Sequence, residues 1–457
     1  MAGLRRSPPR HRPHQSPLPV DGERVRERGA PAGAAGPSRF QQLVSFDGKE
    51  AIALILAWKL ATFAIAYLVW SLLPFNNALR NANLRFGSPN DDSFAAALST
   101  WDAQHYIRLA EVGYQPGLLT NAFAPLYPMS IRALNLITGD SIVSGLLIAN
   151  LASGIALYLL YRFVRGRYGR EVGWNTLLLF LAFPTAFYLN LIYTEGLFLL
   201  LTTVFFIALY RRNLPIAAVC AFLLPFLRLP GLVVTLPLAW VLIGDYLSSR
   251  RIHLHTGPNH LSVDGNGSGA DPLAAGFNPQ TKNPRLADFS PQTKNLLYLL
   301  APLAGLLAYF AYMHFEIGNA FIAMDAEKLY ISNRSLENLL RPWHLFPDLF
   351  RTHLSVHGYL DSALDRAFFV AMVASLPLIY RRTGMPMFLF AAAILLQPFL
   401  GSFMSYTRLA MVAFPLYIAW ATVFTGPRAR YIHVLIYPLS MLQALLLSMH
   451  VLSYWVA

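Results

Sequence analysis

Apolar residues run in long stretches along this chain, separated by short polar segments in which arginine predominates. The runs fall near 51–73, 141–161, 174–191, 194–210, 214–228, 229–247, 295–313, 366–380, 385–403, 406–424 and 431–455. A helix needs about 20 residues to cross a hydrocarbon layer, so the pattern predicts an all-α membrane protein with about eleven transmembrane helices. The basic segments test the alternation, because loops rich in Lys and Arg stay on the cytoplasmic side. With the N-terminus inside, the expected cytoplasmic segments are YRFVRGRYGRE at 161–171, YRRN at 210–213, the long stretch 248–293, YRRTG at 380–384 and TGPRARY at 425–431. Each carries an excess of basic residues. The expected outer segments are 74–140, 192–195, 229–231, 314–365, 405–408 and the C-terminus, and none is comparably basic.

One apolar run does not fit as a span. Counting FAPLYPMSIRALNLI, residues 123–137, would put YRFVRGRYGRE outside and invert every later basic loop. It is therefore expected as a helix lying at the outer interface or dipping into the membrane. The large first outer loop, 74–140, then carries interfacial helices.

Composition agrees: 55% of the residues are hydrophobic and only 13% charged, where a soluble domain carries about a quarter. Cys220 is the only cysteine, which excludes an intramolecular disulfide and a thiolate metal cluster. The net charge of +13 does not indicate nucleic acid, because the arginines cluster in the N-terminal tail and in short loops between apolar runs. That tail, residues 1–48, is rich in Pro, Gly, Ala and Arg. It has too little apolar surface to fold and is expected to be a disordered, basic, cytoplasmic segment ahead of a membrane domain over 49–457. It lacks the apolar core of a signal peptide, so the first span is expected to be retained. The segment 248–293 is Gly-, Pro- and Asn-rich and is expected to be a flexible cytoplasmic loop. Its His253 and His255 have no carboxylate or thiolate partner in sequence, and no metal site is expected. No inverted repeat of the transporter kind is evident.

The segment WDAQHYIRLAEVGY, residues 101–114, is polar and aromatic and belongs to the first outer loop. On a helix Asp102, His105 and Tyr106 stand at i, i+3 and i+4 and share one face. Trp101 and Tyr114 have the amphipathic rings that favour a membrane–water boundary. Glu195, Arg228 and Arg408 fall on the same expected side. A carboxylate can take a proton from a reacting hydroxyl, and nearby cations can hold a departing anion. The outer segments supply both. Lys59 lies well inside the first run, where two readings stay open: snorkelling to the interface, or pairing with a carboxylate elsewhere in the bundle.

These motifs resemble the PIG-V family of mannosyltransferases, within the GT-C class of multi-spanning enzymes that use lipid-phosphate sugars. The family pattern runs WDGxHYxxIAxxGY, FFPLYP, YTES, a short Arg-containing turn and an Arg-containing loop. Here it reads WDAQHYIRLAEVGY, FAPLYP, YTEG, RLPG at 228–231 and SYTRLAMVAFP at 405–415. The order holds over roughly residues 50–425, with Ala103, Ala124 and Gly196 as departures. The resemblance implies a GT-C fold and an inverting, single-displacement transfer of mannose from a polyprenyl- or dolichyl-phosphate donor to a lipid-linked or other extracytoplasmic acceptor. It implies Asp102 as general base, with His105 and Tyr106 orienting hydroxyls. Arg408 comes first for the lipid phosphate, because a guanidinium is bidentate toward phosphate oxygens, and Arg228 second. Glu195 is expected to bind sugar hydroxyls or to position an arginine, and Tyr127 to line the sugar pocket. No metal or other cofactor is expected, and the partners are membrane lipids, the polyprenyl-phosphate sugar and the acceptor. The expected location is the bacterial plasma membrane, or the endoplasmic reticulum membrane in a eukaryote, with the site on the extracytoplasmic side. The alternative from another class is a transporter or lipid flippase, which keeps ionisable residues near the bilayer midplane in paired broken helices. Here they concentrate in the outer segments.

Overall fold

The computed structural model describes residues 46–84, 86–255, 291–328, 335–351 and 354–456. Among them the chain is helical, without a strand and with one isolated bridge between Ser355 and Ser362. The expectations for the tail 1–48 and the loop 248–293 lie outside the described residues, as do the side chains of His253 and His255. Only the ends are seen: the first helix starts at Phe46, the helix Thr235–His255 reaches into the loop, and the next begins at Pro291.

Five stretches are long and apolar enough to cross a membrane: Gly48–Leu72, Ser141–Tyr168, Leu229–Ser248, Thr293–Ile317 and Gly426–Val451. A sixth arises if Ala363–Ala374 and Leu376–Thr383, bent by 42° at their junction, act as one span. Several other apolar runs are interrupted. The run 174–191 divides into a helix ending at Ala182 and a 3-10 turn Ala186–Asn190, and the run 406–424 into helices Tyr406–Ala410 and Pro415–Ala421. Pro184 and Pro415 stand at these breaks, where a missing N–H and a ring clash end a helical ladder. Both stretches are almost wholly buried, so the breaks lie inside the protein rather than against lipid. The 123–137 run gives a helix Leu126–Thr138 of 13 residues, about 20 Å long and too short to span.

Helix ends follow from local chemistry. Asp140 accepts from the amides of Ile142 and Val143 and starts the helix Ser141–Tyr168, which ends on Arg165, Arg167 and the left-handed Gly169. The helix Asp102–Val112 ends at Gly113, and Arg132 Nε and Nη2 donate to its last carbonyls, Ala110 (2.7 Å) and Leu109 (3.3 Å).

The basic turns gather at one end of the bundle. Arg170 pairs with Glu50 (3.6 Å), the Gly426 amide donates to Glu171 (3.0 Å), and the Arg167 guanidinium lies 4.4 Å from the Tyr210 ring centre. The helix Glu195–Tyr210 runs from that end to the acidic one, 16 residues or about 24 Å away. Aromatic side chains fill the space between, Phe180, Phe183, Phe187, Tyr188, Phe198, Tyr406 and Tyr417 among them.

Candidate active site

Asp102 is the first residue of its helix, where a carboxylate meets the positive end of the helix dipole. The residue before it, Trp101, is held at φ 58 and ψ −126, a region that costs a non-glycine residue on the order of 1–3 kcal/mol. Ser405, three residues before Arg408, is likewise left-handed at φ 59. Two unfavourable backbone conformations thus launch the two segments whose side chains meet: Arg408 Nη2 donates to Asp102 Oδ2 at 2.7 Å.

The ion pair continues inward. Arg408 Nε lies 3.5 Å from Glu195 Oε1, an ionic contact too long for a strong hydrogen bond, and Arg228 Nη1 donates to the same oxygen at 3.2 Å. Two carboxylates and two guanidiniums compensate one another, which a buried charge cluster requires. Glu195 and Arg408 are buried, while the Arg228 and Asp102 side chains keep 17% and 25% of their surface open. Glu195 Oε2 and Arg408 Nη1 have no hydrogen-bond partner among the described residues. A buried N–H without a partner of this kind is uncommon in a folded chain.

Aromatic rings hold Arg408 from the sides. Its guanidinium carbon lies 5.3 Å from the Tyr188 ring centre and 5.2 Å from that of Tyr193. The Tyr193 hydroxyl donates to the Thr100 carbonyl (3.3 Å), two residues before Asp102, and Tyr188 meets buried His450 Nδ1 at 3.3 Å. From below, Asp365 Oδ1 accepts from the Thr407 amide (2.8 Å) and hydroxyl (2.6 Å), and Thr185 donates to the Thr407 carbonyl (3.1 Å). Asp365 is fully buried. Tyr188 lies in an apolar run, where an aromatic residue reads as core, and Tyr193 stands in the YTEG motif beside the more conspicuous Glu195. For Asp365, an acid at the first turn of the 363–374 helix was the available signal.

The other expected residues are placed as follows. Tyr106 is buried edge-on to Phe123 and Tyr127 and feels the charges of Asp102, Glu195 and Arg228. Burial first, then the two carboxylates, hold its phenol above the usual range. His105 is buried, stacked on Phe123 (4.9 Å) and edge-on to Phe86 (5.7 Å). Tyr127 has no exposed surface and donates to the Gly145 carbonyl at 3.0 Å. It packs edge-on against Tyr106, with its hydroxyl proton given to that carbonyl. The opposite face of the Asp102 helix borders a separate polar cavity of about 270 Å³ that includes Gln104, Arg108 and Glu111.

Among the described residues Lys59 has no carboxylate partner. Buried in the first span, it donates to Ser153 Oγ (2.7 Å), Asn190 Oδ1 (2.7 Å) and Asn150 Oδ1 (3.2 Å). A lysine at a span centre costs about 2.5–3.5 kcal/mol on an insertion scale, so an arrangement using all three ammonium protons is what retains it. Among the described residues no group of three or more His, Cys, Asp or Glu side chains is placed to hold a metal ion.

Residues 75–247 match the family model described as Mannosyltransferase (PIG-V). That stretch contains Asp102, His105, Tyr106, Tyr127, Glu195 and Arg228, and Arg408 lies beyond it. None of the curated proteins matches the chain. Among solved structures, the archaeal oligosaccharyltransferase AglB from Archaeoglobus fulgidus, in complex with an inhibitory peptide and a dolichol-phosphate, is similar at a TM-score of 0.39 and 13% identity. The alignment covers 86% of this chain and 56% of that one, so the chain spans little more than half the length of that enzyme.

Proposed function

We propose that this chain, a membrane glycosyltransferase whose residues 75–247 match the PIG-V mannosyltransferases, transfers mannose from a polyprenyl- or dolichyl-phosphate donor to a lipid-linked or other extracytoplasmic acceptor. The observation that carries the reading is the Asp102–Arg408 pair at 2.7 Å, extended by Glu195 to Arg228. It brings a carboxylate and two guanidiniums into one site, the groups that take the acceptor proton and hold the departing phosphate in a displacement at an anomeric carbon.

In the reaction the acceptor oxygen forms a bond to the anomeric carbon while its proton passes to the Asp102 carboxylate. The bond from that carbon to the phosphate oxygen breaks, and its electron pair leaves with the lipid phosphate. Arg408, through the unpartnered Nη1, and the more open Arg228 neutralise the charge that develops there. Glu195 orients both guanidiniums. A single displacement inverts the anomeric centre. The site end is assigned to the extracytoplasmic side, opposite the basic turns, in a bacterial plasma membrane or, in a eukaryote, the endoplasmic reticulum membrane.

The deciding experiment is transfer by purified protein in lipid nanodiscs from radiolabelled polyprenyl-phosphate mannose, with the anomeric configuration of the product read by NMR. Inverted mannoside is the expected product. Transfer only from a glucose or arabinose donor would change the sugar, and no transfer from any polyprenyl-phosphate sugar would overturn the donor class.

A further inference from the structure

We propose that Lys59 is a positioning residue for the transfer: its ammonium, buried in the first span, fixes the segment 188–195 that surrounds Arg408. The proposal rests on the lipid-phosphate reading above.

The three acceptors of Lys59 are themselves tied to that segment. Ser153 Oγ donates to the Leu189 carbonyl (2.8 Å), and Asn150 Nδ2 donates to the Asn190 carbonyl (3.0 Å). Because Lys59 can only donate, it takes the Ser153 lone pair and directs that single hydroxyl proton onto Leu189. It takes Asn150 Oδ1 in the same way, which turns the amide nitrogen toward Asn190. One ammonium thus sets the hydrogen-bond polarity of the joint between the first span, the helix Ser141–Tyr168 and the segment. Ionic donors make bonds about twice as strong as neutral ones.

The segment needs such outside support, because after the 3-10 turn Ala186–Asn190 the bonds that begin and end within it include only Leu191 N to Tyr188 O (3.3 Å) and Tyr193 N to Leu191 O (2.8 Å). It bears Tyr188 and Tyr193, the rings against Arg408, and Glu195, shared by Arg408 and Arg228. Tyr193 also reaches Thr100 beside the base. Gly196 completes the fit, since a Cβ there would stand 2.8 Å from the Ala149 carbonyl of the same neighbouring helix. The geometry of base and guanidinium is therefore referenced to a segment whose clamp is Lys59.

The test uses the full-length protein in nanodiscs with decaprenyl phosphate as the probe. Lys59→Met is expected to raise its inhibition constant about tenfold, with amide exchange over 186–196 about tenfold faster and exchange over 214–227 unchanged. Asn190→Ala, which leaves Lys59 bonded to Asn150 and Ser153, should shift both in the same direction by less and serves if Lys59→Met does not fold. In an Arg408→Lys background, Lys59→Met should add little further loss of decaprenyl phosphate binding, since it acts through Arg408. A merely structural lysine would lower the amount of active enzyme and leave the inhibition constant unchanged, and that result overturns the proposal. Should the wild type not bind decaprenyl phosphate, the donor reading fails by itself, and wild-type exchange over 186–196 in Lys59→Met then overturns the clamp.

Discussion

Asp102 and Arg408 are 306 positions apart in sequence and joined by a 2.7 Å hydrogen bond in the folded chain. Asp102 heads the helix Asp102–Val112 and Arg408 lies in the five-residue helix Tyr406–Ala410, and neither local sequence contains the other's partner. Both arrive through a residue in the left-handed region, Trp101 and Ser405. Strain of this kind persists only where the surrounding structure over-determines it, and it clusters at sites of chemistry.

If Asp102 accepts the acceptor proton, Asp102→Asn keeps size and much of the hydrogen bonding while removing the base. Transfer is expected to fall by about a hundred- to ten-thousand-fold, beyond what the lowered melting temperature from loss of the charge facing buried Arg408 accounts for. Asp102→Glu shifts the carboxylate by roughly 1 Å, enough to cost on the order of a hundredfold. Glu111→Gln, on the opposite face of the same helix, is the internal control. Wild-type transfer rates in Asp102→Asn would remove the base assignment and leave WDAQHY as an interfacial anchor.

The acids and arginines of this site were legible in sequence because ionisable residues stand out in an apolar chain, and WDAQHY, YTEG and SYTR bracket them. What holds them was not. Tyr188 and Asn190 sit in a run that reads as a span, and only the break after Ala182 turns that run into a wall of the site. Lys59 was conspicuous, yet its partners are two amides and a hydroxyl, which carry no charge pattern to find. Spans were legible as apolar runs, but periodicity does not tell a continuous helix from one interrupted by Pro184 or Pro415 inside a bundle. A motif likewise fixes position in sequence, not which way a hydroxyl points: that of Tyr127 donates to the Gly145 carbonyl.

If Arg408 holds the lipid phosphate, Arg408→Lys keeps the charge and loses the fork that reaches Asp102 and Glu195. Loss of one charge-assisted bond costs about 1.5–3 kcal/mol, so the KM for the lipid donor should rise by one to two orders of magnitude, on the order of tenfold per 1.4 kcal/mol. Arg228→Lys, at the more open position, should show a smaller rise. Steady-state kinetics in donor at saturating acceptor separates the two, and unchanged donor KM in both variants would place the phosphate elsewhere.

Asp365 supports Arg408 through Thr407, whose amide and hydroxyl both end on Oδ1. Asp365→Ala leaves those donors buried and unsatisfied, which costs about 1–3 kcal/mol. Thermal melting should drop and donor KM should rise in the folded fraction. Asp365→Asn keeps one oxygen for Thr407 and should recover part of both. Equal damage from the two substitutions would mean that the carboxylate charge, near His357 at 3.9 Å, matters more than the cap on Thr407.

The resembling pattern has Ser where this chain has Gly196, and packing explains the difference. A Cβ at that position would stand 2.8 Å from the Ala149 carbonyl and 3.2 Å from Ser153 Cβ. Overpacking typically costs about 1–3 kcal/mol, so Gly196→Ser should lower the melting temperature. Because it pushes on the segment that carries Glu195, it should weaken donor binding too. A variant as stable as wild type would show that the two helices separate easily, against the tight joint inferred around Lys59.

Placement of the site on the extracytoplasmic face is decided by labelling. The helix Glu195–Tyr210 joins the Asp102–Arg408 pair to the end where Arg167, Arg170 and Gly426 cluster. A cysteine near each end therefore reports the two sides of the membrane. Glu111 and Gly166 are both exposed, and a Cβ at Gly166 meets nothing within 4 Å. Buried Cys220 is first replaced by alanine to remove background. In intact cells an impermeant maleimide should label Glu111→Cys and leave Gly166→Cys unmodified until the membrane is permeabilised. The converse pattern would put the Asp102–Arg408 pair on the cytoplasmic face, within reach of nucleotide-linked donors. An extracytoplasmic, lipid-phosphate chemistry would then no longer be the reading this site supports.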